Sequence, residues 1–242
     1  MAGNQSFGSF RQVSKKWFIT AVVAVVGAGI VYGLFRFNYG PYSGNYGMYL
    51  IVNMIGLLFI PMMTVFLIFR ADPASFGFAP SASRKIWVWA GVLFAGLFVL
   101  MLIAARWPSF QSYYPIFRYF DEFKPSGGFA LDYPRVNPFL AAPWVMLYAE
   151  LSYGLYLFCW EFFYRGYLLF GLQKSLGSVA AVLLQAVAFG LMHYGKPEMI
   201  PSFGAGIILG ILALKAKSFV PGFVLHWAAA IGFDVLVVAT RR

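Results

Sequence analysis

The residues best suited to chemistry in this chain are ionisable groups that lie inside long apolar runs. Both of its histidines, His193 and His226, occupy such runs, as does a Glu-x-x-x-Arg pair formed by Glu161 and Arg165. Ionisable side chains are costly at membrane depth and are usually retained there for a use. A carboxylate and imidazoles held together in an apolar cavity can carry out general acid–base catalysis. The first hypothesis is therefore a buried Glu/Arg/His/His site.

Helical spacing adds two further acidic residues to this hypothesis. Glu150, Glu161 and Arg165 are 11 and 4 residues apart, which places them within about 60° of arc on one helix face. The Glu161–Arg165 pair could also serve only for mutual neutralisation. Asp234 follows His226 by two helical turns on roughly the same face. It could orient a histidine, line a polar cavity or pair with a lipid-side cation.

The composition indicates that these residues belong to a polytopic membrane protein. Of 242 residues, 61% are hydrophobic and only 11% are charged, against about 25% charged in a typical soluble domain. The chain contains apolar runs long enough to span a bilayer, and they are continuous rather than alternating as in barrel strands. They lie near 17–35, 48–69, 86–105, 150–174, 178–195 and 219–240, with a shorter run near 201–214. We predict an all-α membrane bundle of about seven transmembrane helices, forming one integral-membrane domain over 1–242.

The net charge of +10 is best explained by membrane lipids as partners. Most basic residues fall in loops and at span ends, where they contact anionic headgroups and set topology, so no nucleic-acid partner is predicted. Arg11, Lys15 and Lys16 predict a cytoplasmic N-terminus in a multi-pass protein of the cell membrane. Residues 17–35 are interpreted as a retained first span rather than a removed signal peptide.

The single cysteine and a proline-rich segment give further information about the site and its surroundings. Cys159 is the only cysteine, which excludes an intramolecular disulfide and a cysteine-based zinc site. Residues 106–138 are rich in proline and predict an irregular extramembrane loop. This loop could be a substrate-gating cap or merely a connector.

A predicted hairpin brings the polar residues to one depth. A tight turn at Gly177 and Ser178 would join the helices that carry Glu161 and His193. Each of these residues lies about 16 positions from Gly177, or roughly 24 Å along its helix. The last span, with some tilt, can bring His226 level with them. Three helices would then contribute to one site near the middle of the bilayer.

Three short motifs resemble those of the CPBP family (CAAX proteases and bacteriocin-processing enzymes, also called Abi). They are Cys-Trp-Glu-Phe-Phe-Tyr-Arg-Gly at 159–166, Phe-Gly-Leu-Met-His at 189–193 and Leu-His at 225–226. The family is related to the type II CAAX prenyl endopeptidases and has the pattern Glu-Glu-x-x-x-Arg, Phe-x-x-x-His and His-x-x-x-Asn/Asp on successive helices. The resemblance covers about residues 150–240.

The resemblance implies an intramembrane endopeptidase that cleaves a membrane-associated, lipidated or prenylated peptide substrate through a glutamate/histidine-activated water. Glu161 with His193 would activate the water, His226 would stabilise the oxyanion and Arg165 would hold the carboxylate. Two positions depart from the family pattern. Trp160 replaces the first Glu, which the family uses as the water-activating base, and Ala230 replaces the Asn/Asp.

These departures leave several interpretations open. Glu150, on the same helix face as Glu161, could substitute for the missing first Glu. No cofactor is predicted, although zinc bound by Glu161, His193 and His226 is the runner-up. A catalytically inactive family member that binds a membrane partner is the main alternative function. A proton-linked transporter also fits the composition.

Overall fold

The computed structural model describes residues 3–40, 44–80 and 83–241, with side chains in the first helix from residue 12 onward. Arg11, one of the residues used above to orient the N-terminus, lies outside the described side chains. The described ranges contain α-helices and shorter π- and 3₁₀-helical stretches but no β-strand. The predicted all-α membrane bundle is thus confirmed.

Seven long helical segments follow one another along the chain. They are α1 (Gly3–Asn38), α2 (Tyr46–Ile68), α3 (Arg84–Ala104), α4 (143–176), α5 (178–191), α6 (Met199–Ala216) and α7 (Val220–Thr240). Within the described residues, six helices are long and apolar enough to cross a membrane, and the one at Pro143–Leu191 comprises both α4 and α5. This architecture agrees with the prediction of about seven spans.

The chain reverses direction between α4 and α5 at Gly177. This residue has φ 79° and ψ 169°, a conformation that is essentially restricted to glycine. Because of the reversal, α5 packs back along α4, and the ring centroids of Trp160 and Phe189 lie 5.9 Å apart. The predicted turn and the shared depth of the two arms are therefore confirmed. The main hydrophobic core lies between this hairpin and helices α1 and α2.

A glycine allows α7 to approach α4 closely. A Cβ atom on Gly154 would lie 2.4 Å from the Trp227 ring, so only glycine fits at this crossing. The Trp227 indole Nε1 donates a hydrogen bond of 2.9 Å to the Glu150 carbonyl. Small residues at such crossings let membrane helices pack closely. The crossing fixes how α7 is placed against the helix that carries Glu161.

We expect Gly154→Val to lower the free energy of unfolding by about 1–3 kcal/mol, because Trp227 must shift to make room. Thermal unfolding in detergent, followed by circular dichroism, measures the effect. Gly96→Val in α3 is the matched control, because a Cβ at Gly96 meets nothing within 4 Å. Equal melting temperatures for the two variants would show that the crossing tolerates a larger residue.

The segment 106–138 folds against the bundle. It contains short helical turns at Pro108–Tyr113, Ile116–Tyr119 and Asp121–Phe123. Three of its phenylalanines are buried in a cluster that also includes Tyr46 of α2. The Glu122 carboxylate accepts hydrogen bonds of 3.0 and 2.9 Å from the Tyr46 backbone N–H at the start of α2. The segment thus covers the end of the bundle where α4 begins and α7 ends.

Candidate active site

Helix α4 presents Glu161 and Arg165 as a fully buried ion pair. Both side chains have 0% exposure, and Arg165 Nη1 lies 3.0 Å from Glu161 Oε1. Their spacing of four residues places them on one helix face. Arg165 lies in the stretch Phe162–Leu168, which is π-helical, a distortion often found at functional sites. The predicted intrahelical pair is therefore present, and it removes the net charge of the buried carboxylate.

His226 of α7 joins this pair. Its Nδ1 lies 2.7 Å from Glu161 Oε1, the same oxygen that Arg165 approaches. An ionised carboxylate can only accept hydrogen bonds, so His226 Nδ1 carries the hydrogen. The bond fixes the orientation of the ring and leaves Nε2 for a water or a substrate. Its side chain is 23% exposed, whereas Glu161 is closed to solvent.

His193 is held by the backbone of its own helix end. Its Nδ1 donates a hydrogen bond of 2.8 Å to the Phe189 carbonyl, because a carbonyl oxygen can only accept. The neutral ring therefore has its lone pair on Nε2, which is the form needed for a base. The structure pairs Glu161 with His226, and its described contacts for His193 are with Phe189 and Trp160.

The Phe189 ring lies at the centre of the cluster. The Arg165 guanidinium carbon is 4.0 Å from its centroid, within the range of a cation–π interaction. The His193 ring centroid lies 4.8 Å from it and the His226 ring centroid 5.9 Å from it. Phe189 therefore keeps the two imidazoles beside one another. We did not predict this role, although its position four residues before His193 was a signal for it.

The family comparison agrees with this arrangement. Residues 141–231 match the family model described as type II CAAX prenyl endopeptidase Rce1-like. Over these residues the chain is similar to the CAAX protease family. The match includes α4, α5, α6 and His226 of α7, which carry the cluster described above. No curated protein and no solved structure matches the chain.

The structure shows the surroundings of Trp160 and Ala230, the two residues that depart from the CAAX protease pattern. Trp160 occupies the first Glu position, and its ring centroid lies 5.9 Å from that of His193. Its buried Nε1 has no hydrogen-bond partner among the described residues. At the Asn/Asp position, Ala230 packs against the hydrophobic core. An indole ring and a methyl group thus stand where the CAAX protease pattern has a Glu and an Asn or Asp.

The remaining acidic candidates, Glu150 and Asp234, lie apart from this cluster. Glu150 precedes Glu161 by three helical turns, or about 16 Å along α4. Both side chains are buried, at 6% and 5% exposure. Both carboxylate oxygens of Glu150, and Oδ1 of Asp234, have no hydrogen-bond partner among the described residues. The structure therefore does not join these two acids to the ion pair and histidines that we predicted as one site with them.

The zinc alternative requires three donors close to one another. No three His, Cys, Asp or Glu side chains among the described residues form a group able to hold a metal ion. Glu161 Oε1 and His226 Nδ1 are already bonded to each other, so these two atoms would have to separate to bind zinc. The absence of a cofactor stays a prediction.

We expect a chelator to leave the melting temperature of the purified protein unchanged, since no described residues form a metal site. Unfolding with and without EDTA measures this, together with elemental analysis of the protein. A lower melting temperature in EDTA that zinc restores would contradict the prediction.

Proposed function

We propose that this protein is an intramembrane endopeptidase of the CAAX protease type, which hydrolyses a peptide bond in a membrane-associated or lipidated substrate. The observation that supports this most directly is the Glu161–His226 bond of 2.7 Å, which lies beside a second imidazole with a fixed tautomer. Two histidines with different hydrogen-bond partners can take different roles in acid–base chemistry. The family match supports the protease class.

In this proposal His193 is the base. Its Nδ1 is occupied by the Phe189 carbonyl, so Nε2 accepts a proton from water as the water oxygen attacks the scissile carbonyl carbon. The tetrahedral intermediate then collapses with cleavage of the C–N bond. His193 returns the proton to the leaving nitrogen. Proton transfer of this kind contributes typically about 10²–10⁴-fold to the rate.

His226 stabilises the oxyanion. In this proposal His226 acts in its doubly protonated form, donating from Nδ1 to Glu161 and from Nε2 to the developing oxyanion. One such donor contributes about 3 kcal/mol. Arg165 holds Glu161 in place through the ion pair of 3.0 Å. The loss of the first Glu of the family pattern leaves His193 as the base without a carboxylate partner.

A reporter assay tests the proposal. We expect purified protein in lipid nanodiscs to cleave a fluorogenic peptide that carries an S-prenylated cysteine. His193→Gln and His226→Gln should each slow cleavage at least about a hundredfold. Tyr194→Phe is the matched control beside the site, since its side chain is 61% exposed. Wild-type rates in both histidine variants would overturn the assignment.

One observation favours a second function, in which the protein binds a membrane partner without cleaving it. The Trp160 ring lies beside His193, at the sequence position where the family pattern has its catalytic carboxylate. In that case the wild type binds the prenylated peptide but does not release product. Trp160→Glu restores the family pattern, and the appearance of cleavage only in this variant would favour the binding function.

A further inference from the structure

The end of helix α1 contacts the turn that carries His193, and the proposed chemistry gives this contact no role. The Tyr39 hydroxyl lies 2.6 Å from the Tyr194 carbonyl oxygen and 3.4 Å from the Met192 carbonyl oxygen. Carbonyl oxygens only accept hydrogen bonds, so the hydroxyl is the donor. Met192 and Tyr194 are the two neighbours of His193 in the chain. One side chain from a distant helix thus contacts the backbone on both sides of this histidine.

The turn that follows α5 lacks the hydrogen bonds of a continuing helix. Helix α5 ends at Leu191, and the backbone N–H of His193 donates a hydrogen bond of 3.0 Å to the Gly190 carbonyl. Carbonyl groups at and beyond a helix end have no partner within the helix and need donors from elsewhere. Two residues after His193, Gly195 has φ 74° and no side chain that could pack. The Tyr39 hydroxyl therefore supplies a donor that the end of α5 does not provide.

The end of α1 is itself fixed against α2. Asn38 and Asn53 exchange two amide hydrogen bonds, of 3.0 and 2.8 Å. Asn53 Nδ2 also donates a hydrogen bond of 2.8 Å to the Tyr49 carbonyl, and the Asn53 side chain has 0% exposure. Buried amides with satisfied hydrogen bonds specify one arrangement of the helices that carry them. Because Tyr39 directly follows Asn38, its hydroxyl is held from a fixed point.

The Tyr39 ring makes contacts that do not depend on its hydroxyl. Its centroid lies 4.6 Å from that of the Phe35 ring, one turn earlier in α1. On the other side, Lys196 Nζ lies 6.0 Å from the Tyr39 centroid, at the outer limit of a cation–π interaction. The Lys196 backbone N–H donates a hydrogen bond of 3.0 Å to the His193 carbonyl. Removing the hydroxyl alone therefore tests the bond to the turn without removing the ring.

We propose that Tyr39 is a positioning residue for His193, because it holds the turn so that His193 Nε2 faces the scissile carbonyl. A misplacement of about 1 Å can slow a catalysed reaction about a hundredfold. Tyr39 lies outside residues 141–231, which match the family model, so the family motifs do not include it. The inference rests on the proposed function for the role of His193 as the base. The contact between Tyr39 and the turn does not require cleavage.

Tyr39→Phe tests the kinetic consequence, since it removes the hydroxyl and keeps the ring. We expect kcat for the prenylated reporter to fall about ten- to thirtyfold while KM stays within about twofold of wild type, because the hydroxyl positions the base and does not bind the peptide. Tyr32→Phe in the same helix is the matched control, because the Tyr32 side chain is 69% exposed. 4-Aminophenylalanine at position 39 restores a donor and should recover most of the lost rate.

The histidine rings provide a measurement that does not need cleavage. The chain contains only two histidines, so nitrogen-15 histidine in untagged protein gives ring signals from His193 and His226 alone, and His226→Gln assigns them. We expect Tyr39→Phe to shift or broaden the ring signals of His193 and to leave those of His226 unchanged. Tyr32→Phe should change neither. Melting temperatures show whether each variant is folded.

The outcomes separate this inference from the proposed function. A change at His193 alone supports the positioning role, and if the wild type does not cleave the reporter, only the hydrolysis proposal is contradicted. Unchanged His193 signals in Tyr39→Phe overturn the inference, whatever happens to cleavage. Equal changes at both histidines with a lower melting temperature assign Tyr39 a general role in stability and also overturn it. If the wild type cleaves, an unchanged kcat in Tyr39→Phe overturns it as well.

Discussion

Glu161→Gln is expected to slow cleavage of the prenylated reporter by about 10²–10³-fold. A glutamine oxygen can still accept the His226 hydrogen bond that spans 2.7 Å in the wild type. The amide is neutral, however, so the bond to the His226 imidazolium that stabilises the oxyanion in the proposed step is no longer charge-assisted. The variant therefore removes the charge of the Glu161 side chain and keeps a hydrogen-bond acceptor at the same position. Single-turnover cleavage in nanodiscs measures the effect.

Two control measurements show whether slower cleavage comes from the lost charge or from loss of folding. Affinity for the uncleaved peptide should stay within about twofold of wild type, since the interaction lost is one made in the transition state. Asp132→Asn, which neutralises a surface carboxylate paired with Arg135, should cleave at the wild-type rate. Unchanged cleavage by Glu161→Gln would show that its charge has no part in the reaction.

Arg165→Met is expected to lower the free energy of unfolding by about 3–5 kcal/mol. The methionine removes the countercharge of Glu161, whose side chain has 0% exposure, and leaves a carboxylate buried without its ion-pair partner. It also removes the guanidinium that lies 4.0 Å from the Phe189 ring centroid. Equilibrium unfolding in mixed micelles, followed by tryptophan fluorescence, measures the change.

A double variant identifies the cause of that loss. Glu161→Gln/Arg165→Met has no unpaired charge, so it should recover part of the stability lost in Arg165→Met. Arg165→Lys keeps the charge but lacks the planar guanidinium, and we expect it to fall between the wild type and Arg165→Met. If the double variant is as unstable as the single one, packing on Phe189 rather than charge explains the loss.

Much of the architecture follows from sequence periodicity and simple helix geometry. The apolar runs predict the number of spans, and the equal distances of Glu161 and His193 from Gly177 predict that the hairpin brings them to one depth. The i,i+4 spacing likewise predicts the ion pair with Arg165. These features depend on one helix or one turn, so they can be worked out locally.

Contacts between distant helices could not be worked out in this way. The rotation of α7 about its own axis depends on the Gly154–Trp227 crossing, which joins residues far apart in the chain. That rotation determines that Glu161 meets His226. The central role of Phe189 has the same origin, because helical periodicity does not show which rings a buried phenylalanine will touch.

The spacing of Glu161 and Arg165 also has a consequence for biosynthesis. The arginine follows its partner by one helical turn, so the two opposite charges enter the bilayer together as soon as this helix forms. The cost of inserting either charge alone is thereby avoided. His226 is synthesised sixty-one residues after Arg165 and meets an acid that is already neutralised. The helical hairpin can therefore insert first, and the site is completed only when the last helix arrives.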